Sequence, residues 1–199
     1  MQFDRHLAGH VGYENGDSLL RFRPMTRPQP DEAASYYSQY IDLVTSDEIV
    51  PAIKEQFGET VRFLEGISEE QSARSYAPGK WTIREVLNHV NDGERLFLSR
   101  AFWFARGFQD AMPSFDQDIA ARFANANERS WASLVEEFKT VRASTISFFE
   151  HMPDEAWSRS GVASDNPVTV RAIAYIIAGH VTHHVNVLKN KYLSTNYTL

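Results

Sequence analysis

Four long stretches of this chain carry apolar residues at the three- and four-residue spacing of one helix face. They span about 46–67, 82–106, 130–152 and 169–190. In the first, Ile49, Ile53 and Phe57 lie one helical turn apart. The alternating pattern of β-strands is weak throughout. The sequence therefore predicts an all-α protein, a four-helix bundle with long inter-helix connections.

The ends of these stretches carry helix-capping residues. Thr82 and Glu85 have the spacing of a capping box, Thr169 is a candidate N-cap, and Pro153 follows the third stretch. The connection 107–129 is long enough to cross the bundle. Its apolar residues are expected to pack over one bundle end; they are Phe108, Met112, Phe115 and Phe123.

Residues 1–24 lack helical or alternating periodicity, and Met25 is followed by the proline-rich stretch TRPQPDE. We therefore expect residues 1–45 to be a disordered or loosely attached leader, with Met25 as a candidate natural start. The bundle is predicted to span 46–193, followed by a short tail at 194–199.

Charge and composition exclude several classes of function. The net charge of −6 argues against non-specific nucleic-acid binding, which needs a basic face. No apolar run is long enough to span a bilayer, and no signal peptide is recognisable, so we expect a cytoplasmic protein with no membrane partner. The absence of cysteine excludes thiolate zinc ligands and a cysteine nucleophile.

The fourth predicted helix contains the unusual stretch AGHVTHHV at residues 178–185. On a helical wheel, His180 and His184 fall within the apolar face, whereas His183 falls at its edge and is either exposed or a supporting group. Burying an imidazole without a partner costs about 1–3 kcal/mol. A divalent metal would satisfy both inward rings, although a lone HxxxH pattern is weak and hydrogen-bonded core histidines are the alternative.

A candidate third ligand, His89, lies in the second predicted helix at the border of its apolar stripe. Asp92 or Glu85, each about one turn away, could accept the other ring N–H and fix the tautomer. Gly93 would leave room beside the ring. Together these positions predict a three-histidine site, with Asp92 as a candidate supporting group; the alternative for Asp92 is a place on a solvated helix face.

Residues 46–193 resemble the DinB/YfiT-like superfamily. The similarity rests on PGKWTIREVLNHVNDGERLF, which begins at residue 78, combined with GHVTHH about ninety residues later. It implies a four-helix bundle, commonly a homodimer, that binds one divalent metal. The matching ligand positions are His89, His180 and His184, and His183 matches no ligand. A site made of imidazoles suits zinc or nickel best, with iron and manganese as alternatives.

Three functions follow from this site as hypotheses. The first is a metal-dependent hydrolase acting on a small molecule through a metal-bound water. The second, which the resemblance implies, is a transferase for a low-molecular-weight thiol of the bacillithiol type, with a metal-bound thiolate as the reacting group. The third is a non-enzymatic, metal-binding or stress-related bundle. Three histidines in an open cleft favour an enzyme, whereas a fourth protein ligand or a sealed site favours a structural metal. No side chain is identified as a general acid or base.

Overall fold

Apolar stripes on four long helices face one another in the computed structural model, which describes residues 27–194. In this part of the chain the α-helices are α1 (Ser38–Ile41), α2 (Ile49–Glu65), α3 (Glu69–Ser72), α4 (Ile83–Ala105), α5 (Gln117–Ala124), α6 (Trp131–Glu150) and α7 (Val170–Val187). The four long helices are α2, α4, α6 and α7, and each of their ends lies within three residues of the predicted position. The predicted all-α four-helix bundle is confirmed.

Side chains cap the N-termini of helices α4 and α7. At the start of α4, Thr82 accepts a hydrogen bond from the Glu85 N–H, and the Glu85 carboxylate accepts one from the Thr82 N–H. The predicted capping box is therefore formed. Thr169 accepts a hydrogen bond from the Ala172 N–H at 3.0 Å and so caps α7 as predicted. These caps satisfy backbone donors that the first helical turn leaves free.

Consecutive long helices are not all neighbours in the bundle. Helix α4 packs against α6 and α7, and α2 packs against the same two helices from the opposite side. As a result α2 and α4 lie diagonally across the bundle. The long connections make this order attainable, because a short hairpin would place successive helices side by side.

A β-hairpin precedes α7, and the sequence analysis did not predict it. Strands β1 (Ser160–Ala163) and β2 (Asn166–Thr169) pair antiparallel, with φ values of 51° and 61° at the two turn residues between them. Positive φ at both positions matches the twist of a two-residue hairpin. The strands are too short to show a clear alternation of apolar and polar residues in the sequence, and Pro167 in β2 further weakens the strand pattern. A Cβ at Gly161 would lie 2.0 Å from the Phe104 ring, so glycine lets the hairpin pack on α4.

Part of the predicted leader packs firmly on the bundle. The Glu32 carboxylate pairs with Arg171 and accepts a hydrogen bond from the Thr169 hydroxyl at 2.7 Å. Tyr40 on α1 is 9% exposed, and a Cβ at Gly179 would lie 2.0 Å from its carbonyl oxygen. Loose attachment is therefore wrong for this segment, because Gly179 allows its backbone to approach α7 closely.

The remaining expectations about the chain ends lie outside the described residues. These are the leader over residues 1–26, with the candidate start at Met25, and the tail beyond residue 194. They stay predictions. Among the described helices, none is both long and apolar enough to cross a membrane.

The connection between α4 and α6, which was expected to pack over one end of the bundle, lies in part against the unpredicted hairpin. The Met112 N–H donates to the Val162 carbonyl at 2.8 Å, and the Ser164 N–H donates to the Met112 carbonyl at 3.1 Å. Phe123 on α5, in contrast, is 76% exposed. The expectation that all four apolar residues of the connection pack is therefore wrong for Phe123, and Phe108 and Phe115 are also exposed, at 44% and 38%. The first half of this connection borders the site described next.

Candidate metal centre

Helices α4 and α7 bring three imidazoles to one point in the bundle. His89 comes from α4, and His180 and His184 lie one turn apart on α7. The Nε2 atom of His180 lies 3.1 Å from the Nε2 atoms of both His89 and His184. One ring nitrogen from each residue lies within 4.8 Å of the other two. The structure thus brings together the three histidines singled out in the sequence.

Hydrogen bonds among the rings do not account for this convergence. A neutral imidazole nitrogen carries either one hydrogen or one lone pair. Nε2 of His180 can therefore satisfy only one of its two close nitrogen neighbours. In a tetrahedral zinc site with Zn–N bonds of about 2.0–2.1 Å, ligand nitrogens lie about 3.3 Å apart. The observed separations of 3.1 Å are close to that value. The donor set therefore fits a divalent ion.

Burial keeps the three rings neutral. It lowers the pKa of His89 to about 4, against an opposing effect of the Asp118 carboxylate. Burial, together with the neighbouring His89, lowers the pKa of His184 to about 3. The pKa of His180 is lowered well below its ordinary value by burial first and by the adjacent His184 second. Neutral imidazole is the form that binds a metal.

The packing around the rings fixes their positions. A Cβ at Gly93 would lie 2.9 Å from Cε1 of His180, so this glycine leaves the space that the His180 ring occupies. The Tyr40 ring meets the His180 ring edge-on, with centroids 5.4 Å apart. The Trp81 ring lies 5.2 Å from that of His89. The space predicted beside Gly93 is therefore filled by a histidine from the facing helix.

The site opens into a cleft of about 270 Å³. The lining residues are Tyr36, Tyr37, Tyr40, His89, Gly93, Leu96, Phe97, Arg100, Phe115, Gln117, Ser164 and His180. Within residues 27–194, no aspartate, glutamate or cysteine joins the three histidines in a metal-binding cluster. A metal ion held by only three protein side chains beside a cleft would keep one coordination position for water or substrate, as in catalytic metal sites.

The predicted supporting carboxylates are engaged elsewhere. Glu85 accepts the Thr82 N–H at 2.7 Å as part of the helix cap. Asp92 accepts a hydrogen bond from Asn88 at 2.7 Å and faces Arg95. The proposed role of either carboxylate in fixing the His89 tautomer is therefore not supported by these contacts. His183 is partly exposed and contacts the Tyr40 ring edge-on at 5.4 Å, which fits its predicted place at the edge of the helix face.

The sequence analysis did not identify three residues that line this cleft. Tyr40 belongs to the aromatic stretch SYYSQY in the supposed leader, and Ser164 lies in the unpredicted hairpin turn. Arg100 follows His89 by three helical turns and so shares its helix face, a spacing that could have identified it. Its side chain is only 2% exposed.

Comparison with known proteins identifies a family for this chain. The sequence model of the DinB superfamily matches residues 52–188, more than half of the chain. A protein of Oceanobacillus iheyensis, named provisionally as a metal-dependent hydrolase, is 24% identical over 135 residues. That alignment covers 67% of this chain and 76% of the relative.

Two solved structures share the fold at low sequence identity. YfiT from Bacillus subtilis, described as a probable metal-dependent hydrolase with an unusual four-helix bundle topology, aligns with a TM-score of 0.67 and 12% identity. The alignment covers 78% of this chain and 91% of YfiT. The mycothiol-dependent maleylpyruvate isomerase aligns with a TM-score of 0.61 and 14% identity, over 73% of this chain and 61% of the longer isomerase.

Proposed function

This chain belongs to the DinB superfamily, and from that premise we propose that it is a metal-dependent hydrolase with one divalent ion held by His89, His180 and His184. The observation that carries the proposal is the convergence of nitrogens from three neutral imidazoles, two of which, His89 and His180, line an open cleft. The names given to the Oceanobacillus relative and to YfiT point to the same class of reaction.

The ion would supply a Lewis acid that lowers the pKa of a bound water to about 7. The chain's own residues perform the remaining tasks. His89, His180 and His184 hold their nitrogens towards one point, and burial keeps each ring neutral, so that one of its nitrogens keeps a lone pair. The rings of Tyr40 and Phe97 border His180 and keep bulk water from that side of the ring. Ligands made only of imidazole favour zinc or nickel over magnesium or calcium.

Hydrolysis of a panel of activated esters and amides by untagged protein tests this function. We expect turnover with zinc or nickel, loss of turnover after chelation and recovery when the metal is restored. His184→Ala should reduce turnover at least about a hundredfold, since one of three ligands is lost. His183→Ala, which changes a histidine one position away, should stay within about threefold of wild type. Turnover that is the same with and without metal would contradict the proposal.

A thiol-dependent transfer is the second candidate, for which the fold shared with the mycothiol-dependent isomerase is the specific support. The chain has no cysteine, so the thiol would come from a small-molecule cosubstrate. An electron-poor acceptor offered with and without low-molecular-weight thiols separates the two functions. Metal-dependent consumption of the acceptor only when thiol is present would favour transfer over hydrolysis.

A further inference from the structure

Arg100 is a buried cation that borders the cleft with no carboxylate beside it. Its side chain is 2% exposed, and it lines the same cleft as His89 and His180. Within residues 27–194, no aspartate or glutamate oxygen lies within ion-pairing distance of its guanidinium group. By contrast, the other fully buried arginine, Arg142, has Glu94 at 3.0 Å. Buried charges are normally paired with an opposite charge, so we expect the anionic partner of Arg100 to come from a bound ligand.

Neutral hydrogen-bond acceptors satisfy only some of the N–H donors of the Arg100 guanidinium group. Nη2 donates to the Pro113 carbonyl at 2.7 Å and to the Ser164 hydroxyl at 2.9 Å. Nε is buried and has no hydrogen-bond partner in the described part of the chain. These neutral acceptors hold the group in place but do not neutralise its charge. A guanidinium with a free N–H donor is suited to an anionic acceptor such as a carboxylate oxygen, because the hydrogen bond is then charge-assisted.

The position of Arg100 relative to the histidines sets the size of the ligand. Arg100 follows His89 by eleven residues on α4, which is about 16 Å along the helix axis and nearly the same face. A long side chain on a helix points back towards the N-terminus, here towards His89. The guanidinium carbon lies 6.0 Å from the Phe97 ring centroid, and that ring lies 5.9 Å from the His180 ring. The guanidinium and the His180 ring are therefore at most about 12 Å apart, a distance that a small ligand in a cleft of about 270 Å³ can span.

We propose that the cleft binds small substrates carrying a carboxylate, which Arg100 receives while the bond to be broken lies at the three histidines. The second part of this statement rests on the proposed function, whereas the anion site at Arg100 does not require the metal. Arg100 would thus select and position the substrate without taking part in the chemistry.

The direct test is NMR of the Arg100 Nε–H group in ¹⁵N-labelled protein, with its resonance assigned from its loss in Arg100→Lys. The probes are hexanoate, the matched neutral hexanamide and inorganic phosphate, each titrated into metal-free and zinc-loaded protein. We expect a saturable shift with hexanoate and binding at least about tenfold weaker for hexanamide, since a charge-assisted hydrogen bond is lost. Equal binding of hexanoate and hexanamide, or a shift with phosphate alone, would overturn the proposal.

A variant pair provides the control. Arg100→Gln should abolish the preference for hexanoate over hexanamide, and Arg106→Gln, at an exposed arginine after the same helix, should retain it. Zinc affinity within about threefold of wild type would show that Arg100→Gln is folded. If Arg100→Gln does not fold, the shift of the Nε–H resonance in wild-type protein still tests the proposal. Failure of the wild-type protein to bind zinc or nickel would refute the proposed function but leave a hexanoate shift as support for the anion site.

Discussion

Gly93 links the backbone of α4 to the position of a histidine on α7. A Cβ at this position would lie within 2.9 Å of His180 Cε1 and 3.4 Å of its Nδ1. Both atoms belong to a ring that is 4% exposed and has little room to retreat. The geometry of the three nitrogens therefore depends on the absence of one methyl group on the neighbouring helix.

We expect Gly93→Ala to weaken zinc binding at least about tenfold, because the added Cβ displaces the His180 ring from its place beside His89 and His184. Titration of metal-free protein with zinc measures the change. The matched control is Gly58→Ala in α2, where the added Cβ meets only Arg62 Nη1 at 3.8 Å. That variant should keep wild-type zinc affinity and gain about 0.5–1 kcal/mol of stability from better helix propensity. Unchanged zinc affinity in Gly93→Ala would show that the ring is free to move.

The buried imidazoles also predict how the stability of the metal-free protein depends on pH. Their pKa values in the folded state lie below the ordinary value of 6.5, at about 4 for His89 and about 3 for His184. Between these values and 6.5 the unfolded chain binds more protons than the folded one, so the free energy of unfolding must fall as the pH falls. The contribution is fully present above about pH 6.5.

Urea unfolding of metal-free protein at several pH values between 7 and 4.5 checks this dependence. The loss approaches about 1.4 kcal/mol per pH unit for each imidazole that stays neutral in the fold. His180→Ala should show a shallower dependence, because one buried ring is gone. If the free energy of unfolding has the same slope against pH in wild type and in His180→Ala, protonation of the buried rings does not destabilise the folded state.

At the scale of elements, the periodicity of the four long helices was strong enough to predict the bundle and the two helices that carry the ligands. Each long helix buries one face over several turns, so its apolar spacing is visible in the sequence. His180 and His184 share a face through a spacing of four residues, and that part of the site needed no tertiary information. Their approach to His89 depends on which helices are neighbours, which the wheel alone cannot decide.

The short elements around the cleft were missed for a physical reason. Helix α1 spans about one helical turn and each hairpin strand two alternations, which are too few repeats to identify either pattern in the sequence. Both are held by tertiary contacts, as when the backbone at Tyr40 lies against Gly179 or the Phe104 ring lies over Gly161. A prediction from local pattern cannot include such contacts. These elements nonetheless supply Tyr40 and Ser164 to the cleft.

At the scale of the whole molecule, the diagonal placement of α2 and α4 leaves α4 in contact with both α6 and α7. One face of α4 meets α7 at the histidines, and another buries Glu94 against Arg142 of α6. The N-terminal segment and the hairpin then enclose the outer side of the α4–α7 contact, where the cleft lies. The expected homodimer and cytoplasmic location stay predictions.

The central claim is that His89, His180 and His184 together hold one divalent ion, and calorimetric titration of untagged, chelator-stripped protein with zinc tests it most directly. We expect one zinc ion per chain in wild type and in His183→Ala. In His180→Ala the affinity should fall at least about a hundredfold. A wild-type protein that binds no zinc or nickel, or a His180→Ala variant with wild-type stoichiometry and affinity, would contradict the claim.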